Sequence, residues 1–120
     1  MHQIRFEVQR LPLANIVHLD GAIDANNFSP LAIELQGLLT GLSPRIILEC
    51  SQVSFIGTTE LKRILDFAYR ARALCGDIKC AALAPTIEQV ATLIANGDPL
   101  ECFPGIVEAL AEFSLLRVSA

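Results

Sequence analysis

Residues 46–61, IILECSQVSFIGTTEL, decide the reading of this chain. Four of the first five are apolar without strict alternation, the pattern of a strand covered on both faces. Helix-start chemistry comes after Phe55, with Gly57 suited to the N-cap, Glu60 to N3, and Thr58 and Thr59 to the first turn. The stretch therefore predicts a central strand from Arg45 to Cys50, a short polar connection, and a helix from Thr58 to about Leu74. Unpaired N–H groups and the positive end of the dipole make such a helix start suited to an anion or a phosphorylated hydroxyl. The functional surface is expected there.

Upstream, Ile4, Phe6 and Val8 alternate with polar residues and predict a half-exposed strand that Leu11-Pro12 ends. A second strand spans Ala14 to Leu19, and Asp20-Gly21 reads as a turn-forming pair. Ser29-Pro30 has the form of an N-cap followed by proline at N1. Leu31, Leu35, Leu38, Leu39 and Leu42 then make one apolar stripe, which Gly41 and Pro44 close.

Downstream, Leu61, Ile64, Leu65 and Ala68 point the second helix at the sheet, with Gly76 at C′. Lys62, Arg63, Asp66 and Arg70 form its wet side, including an i,i+4 pair of Asp66 with Arg70. A strand from Asp77 to Leu83 precedes a helix capped by a Thr86/Gln89 box, carrying Val90, Leu93 and Ile94 and ended by Asn96-Gly97-Asp98-Pro99. Leu100 to Phe103 fits a short edge strand, and Ile106, Val107, Leu110 and Phe113 mark a last helix; residues 114–120 have no readable pattern.

With 120 residues, 52 % apolar and 18 % charged, the chain fits one domain that needs no disulfides to fold. A net charge of −4 with dispersed Lys and Arg argues against nucleic acid. Cys50, Cys75, Cys80 and Cys102 form no C-x-x-C motif, and no cofactor or metal site is expected; they read as reduced core residues. His2 and His18 read as packing or hydrogen-bonded residues. The N-terminus lacks a signal core and no apolar run approaches the ~20 residues of a bilayer span, so a cytoplasmic location without membrane insertion is expected.

Strands alternating with helices, with an extra strand in front, predict an α/β mixed sheet of about four to five strands with about four helices packed on it. VSFIGTTEL, residues 53–61, resembles the signature of STAS domains, the anti-sigma-factor antagonists, V-x-F-I-D-S-S-G-L. Val53, Phe55, Ile56 and Leu61 agree, Thr58 and Thr59 replace the two serines, Gly57 stands for the acidic residue and Glu60 for the glycine. Residues 19–24, LDGAID, are similar to the family's L-x-G-E-L-D, which implies a chain that stays extended through Gly21; Ala84-Pro85 falls where the family has Ser-Pro or a similar pair, and the likeness spans roughly residues 4–113.

The resemblance implies the same fold and a non-enzymatic interaction module. In that family the first hydroxyl of the motif is phosphorylated by a serine kinase that is also an anti-sigma factor, which makes Thr58 the candidate acceptor and Thr59 the second. The implied partner-binding set is Asp24, Gly57, Thr58, Thr59, Glu60, Lys62 and Arg63. A phosphate on Thr58 would meet the carboxylate of Glu60, and some STAS domains serve without phosphorylation as subunits of bacterial lipid ABC transporters or signalling assemblies. The catalytic alternative, a small cysteine-dependent transfer enzyme, rests on Cys50 or Cys75 without an evident base.

Overall fold

A computed structural model describes residues 4–95 and 97–118. His2, Asn96, Ser119 and Ala120 lie outside the described residues. The elements in chain order are β1 (Arg5–Arg10), β2 (Asn15–Ile23), α1 (Phe28–Leu38), β3 (Arg45–Ile56), α2 (Thr58–Ala73), β4 (Asp77–Ala81), α3 (Pro85–Ile94), β5 (Glu101–Phe103) and α4 (Ile106–Val118). The strands lie in the order β1-β2-β3-β4-β5. The β1–β2 pair is antiparallel and the other three are parallel, so the sheet is mixed, as expected.

Side-chain alternation along the strands divides the core between the two faces. Val17, Leu19, Ile46, Leu48, Ile78 and Cys80 pack with Leu31 and Leu35 of α1 and with Leu61, Ile64, Leu65 and Ala68 of α2. Ile16, Ile47 and Ala81 pack on the other face with Ala109 and Phe113 of α4. At about 1.5–3 kcal/mol for each fully buried aliphatic side chain, the first face supplies most of the driving force.

The expected polar connection after Cys50 is strand: β3 continues to Ile56. Nor is Asp20-Gly21 a turn, because β2 runs on to Ile23, pairing Gly21 with Val53 and Ile23 with Ile56. Ladder pairing overrides turn propensity here, and Gly21, at φ 113°, takes the backbone strain beside an irregularity in the register. On the other side β4 stops at Ala81 rather than Leu83, where Ala82 turns left-handed at φ 58°.

Three helix starts and faces also differ from expectation. Helix α1 begins at Phe28, whose buried ring anchors it, so Asn27 is the N-cap and exposed Ser29 is not. Leu42 lies beyond its end and is 89 % exposed. Helix α3 starts with Pro85 at N1 and Ala84 as N-cap, so Thr86 and Gln89 form no capping box. The inward stripe is Ile87, Ala91 and Ile94, while Val90 and Leu93 face out. In α4, Ala109 and Phe113 are inward and Val107 is exposed, and the helix runs on to Val118 through residues that show no periodicity in the sequence.

Helix α2 keeps its expected inward face and wet side. Its Arg70 donates to the side chain of Gln36 and stacks on Phe67, and no Asp66–Arg70 ion pair forms among the described residues. The helix ends in a Schellman motif whose left-handed C′ residue is Cys75, at φ 67°, rather than Gly76. The Cys75 N–H donates to Arg72 O and the Gly76 N–H to Ala71 O. Gly76 is required for another reason: a Cβ there would overlap the carbonyl of Pro44. The turns after α1 and α2 interlock at this base, with Ser43 N donating to Leu74 O (2.7 Å) and Asp77 N to Pro44 O (2.9 Å).

Candidate functional site

At the opposite end of the sheet, β2 and β3 finish side by side and deliver two loops to one rim. The Gly57 N–H donates to Ile23 O (2.9 Å), which sets Asp24 next to the start of α2. Asp24 builds its own turn: its Oδ1 accepts the N–H groups of Asn26 (2.9 Å) and Asn27 (3.2 Å). Asn27 locks it from the other side, accepting the Asp24 N–H at Oδ1 (2.9 Å) and donating from Nδ2 to Ala22 O (2.7 Å). The Asp24 carboxylate thus shapes the rim through local backbone bonds.

Gly57 is the N-cap of α2, extended at φ −62° and ψ 149°, and its carbonyl accepts the first helical bond from Leu61 N (2.8 Å). Glu60, at N3, folds back and is only 5 % exposed. Its Oε1 occupies the space that a Cβ on residue 57 would take. No capping box forms, since the Gly57 N–H is already held by Ile23. A carboxylate thus reaches the N-cap residue from one turn later in the chain, where the motif's usual pattern has its acidic residue at 57 itself.

Thr58, Thr59, Lys62 and Arg63 are exposed, so the rim presents two hydroxyls and two cations around the inward-turned Glu60. The Arg63 guanidinium lies 4.7 Å from the centre of the Phe28 ring, a cation–π contact that ties α2 to the start of α1. The seven candidate residues therefore fall on one end of the molecule, with Gly57 and Glu60 as its floor.

Phe55 is a further member that sequence reasoning used only as a motif match: it is 53 % exposed. In β3, Val53 pairs with Gly21 and Phe55 with Ala22, so Ser54 is an extra residue in the ladder. One inserted residue reverses the facing of the side chains after it and turns the Phe55 ring out to solvent, three residues before Thr58. The sequence carries a signal for this only in the short spacing of Val53 and Ile56, both buried.

The cysteines divide. Cys50 and Cys80 are buried as expected, Cys102 is half-buried, and Cys75 is exposed because it occupies the turn after α2. His18 shares a 2.9 Å hydrogen bond with the Gln9 side chain, in keeping with a hydrogen-bonded strand histidine. A second unforeseen feature is Lys79, 1 % exposed under α4, paired with Asp77 (3.0 Å) and Glu101 and lying 4.9 Å from the Phe113 ring centre. Asp77 is also paired with Arg72 (2.8 Å).

Among the described residues no helix is long and apolar enough to cross a membrane, and no group of three His, Cys, Asp or Glu side chains is arranged to hold a metal ion. No curated protein matches the sequence. Solved structures of this fold include an anti-sigma factor antagonist from Mycobacterium paratuberculosis, 19 % identical, with a TM-score of 0.78 over 93 % of this chain and 95 % of that one. The Bacillus cell fate determinant SpoIIAA in its phosphorylated form is 16 % identical, with a TM-score of 0.67 over 95 % and 99 %. Murine Solute Carrier 26 family member A9, an anion transporter, is 16 % identical, with a TM-score of 0.73 over 89 % of this chain and 18 % of that one. These likenesses concern the fold. The family model for the STAS domain matches residues 5–109, spanning both loops of the rim and all five strands, and the chain belongs to the STAS domain family.

Proposed function

We propose that the chain is a one-domain, cytoplasmic, non-enzymatic interaction module that binds an anti-sigma-factor kinase through the start of α2 and its rim, with Thr58 as the phosphorylated position. The observation that carries this reading is an exposed hydroxyl in the first turn of a long helix, beside an exposed aromatic ring and two exposed cations. An aromatic side chain standing half out of the surface is the kind of anchor that dominates protein interfaces. A phosphoryl group on Thr58 adds nearly two negative charges next to the Glu60 carboxylate, which weakens a complex formed at that surface. The fold's occurrence in a Bacillus protein solved in a phosphorylated form supports the reading.

The position of Glu60 favours a second reading, in which the chain binds as an unphosphorylated subunit of a transporter or signalling assembly. A resident carboxylate in the first turn already balances the helix dipole where a phosphate would sit. Incubation with a purified anti-sigma-factor kinase and ATP, followed by phosphosite mapping and calorimetric titration, separates the two. Phosphate on Thr58 and a weaker complex support the switch; tight binding without modification supports the subunit. In either case Phe55→Ala is expected to weaken binding by about 1–2 kcal/mol, and an unchanged Kd would move the interface elsewhere.

A further inference from the structure

Apart from the rim, the molecule holds a row of thiols across the sheet. Cys80 of β4 and Cys102 of β5 are direct partners in the parallel ladder, on the face that carries α1–α3. The Cys50, Cys80 and Cys102 side chains share one face of the sheet, with the Cys50 thiol donating to Leu48 O and the Cys102 thiol to Leu100 O (3.5 Å each). Neighbouring strands lie about 4.8 Å apart, inside the Cα separation of about 4.4–6.8 Å that a disulfide spans. Cys50 stands two residues beyond Leu48, the ladder partner of Cys80. That offset puts its Cα roughly 8 Å away, too far for a bridge without backbone movement.

Only Cys102 of the three reaches solvent, in a cleft of about 460 Å³ lined by Ala84, Pro85, Glu88, Phe103 and Pro104 at the start of α3. We propose that Cys102 and Cys80 form a reversible oxidation site, in which Cys102 reacts with a hydroperoxide entering the cleft and Cys80 resolves it as an intramolecular disulfide. The Cys102 thiolate attacks one peroxide oxygen, the O–O bond breaks, and the departing alkoxide or hydroxide takes up the proton that the Cys102 thiol released and leaves as alcohol or water, giving a sulfenic acid. Cys80 sulfur then attacks the sulfenic sulfur, the S–S bond forms, and hydroxide leaves with the Cys80 proton as water. Two thiols are oxidised and one hydroperoxide is reduced; a thiol reductant reverses the change.

The two environments suit these roles. The adjacent Cys80 thiol lowers the Cys102 thiol below its ordinary range, against the opposing effects of partial burial and of Glu88 and Glu101. The same contact with Cys102, then that with Cys50 and burial, hold Cys80 well above the ordinary range, so it stays protonated until the sulfenic acid forms. Strand β5 is three residues long and lies at the sheet edge, where a small shift is least costly.

The test uses the full chain carrying Cys75→Ser, which removes the exposed thiol, treated with one equivalent of hydrogen peroxide and alkylated under denaturing conditions. The expected product has lost two of its three free thiols, shows a Cys80–Cys102 linked peptide, and regains both thiols with dithiothreitol. Cys80→Ser is expected to leave a sulfenic acid on Cys102 that dimedone traps, and Cys102→Ser to abolish disulfide formation. Circular dichroism of both variants confirms their fold. Retention of all three thiols after peroxide, a disulfide through Cys50, or absence of dimedone label on Cys102 in folded Cys80→Ser would overturn the proposal.

Discussion

The two faces of the sheet are built on different terms. The face under α1–α3 is closed by aliphatic side chains and by thiols that behave as small hydrophobes. The face under α4 is only partly covered: α4 lies over β3, β4 and β5 and buries Lys79 against Phe113, its ammonium paired with buried Asp77 and exposed Glu101. The β1–β2 side of that face stays open as a polar groove lined by Arg5, Glu7, His18, Asp20, Glu49 and Ser51. The closed face sets the position of α2, and with it the rim. The half-covered face carries the paired charge of Lys79.

Leu61→Asp attacks the closed face where α2 enters it, and has the largest expected effect. An unpartnered carboxylate at a site 1 % exposed costs several kcal/mol, a large part of the roughly 5–15 kcal/mol that holds a domain folded. A thermal midpoint equal to that of the parent would show that α2 is not seated by this side chain.

Lys79 tests the other face. Lys79→Ala leaves a cavity and removes one partner of Asp77, and is expected to cost about 3 kcal/mol in urea unfolding. Lys79→Met fills the same volume without charge while Arg72 still holds Asp77, and is expected to stay within about 1 kcal/mol of the parent. If Met were as damaging as Ala, the ion pairs would be stabilising in their own right and the contrast between the faces would fail.

The smallest expected effect lies at the rim, where both faces end. Gly57→Asp crowds the space Glu60 fills, and Glu60→Gly weakens the helix, each by about 1 kcal/mol. Combined, they restore one carboxylate to one place, so the double variant is expected to lose less than the sum of the singles, by about 1 kcal/mol. Additive losses would mean that the two positions do not share that space.

Legibility in the sequence divides along the same line. The closed face repeats aliphatic residues at strand and helix periods, and the order of elements, the mixed sheet and the inward side of α2 can be read from that repetition. Residue patterns failed where pairing or caps decide: Asp20-Gly21 reads as a turn from its residue types and as extended chain only through the family likeness, which the β2–β3 pairing bears out, and Pro85 starts α3 ahead of Thr86. Lys79 in the middle of a strand gives no sign that its charge is matched from β5. At the rim, Thr58 and Thr59 were readable as first-turn residues, since cap spacing is local. The outward turn of Phe55 was not, because it depends on an extra residue that only the β2 register reveals.

The bond pattern at the base has a consequence for how this scaffold can change over generations of sequence drift or in a designed library. Pro44 leaves no room for a side chain at Gly76, and the two turns share backbone bonds, so neither can lengthen alone without breaking the other. Insertions and grafted loops are therefore better tolerated at the far end, for example around Asp24, whose side-chain bonds are internal to its own turn, than in these two turns. Diversity is thereby admitted at the rim, where Gly57 and Glu60 stand in place of the motif's acidic residue and glycine, while the base remains unchanged.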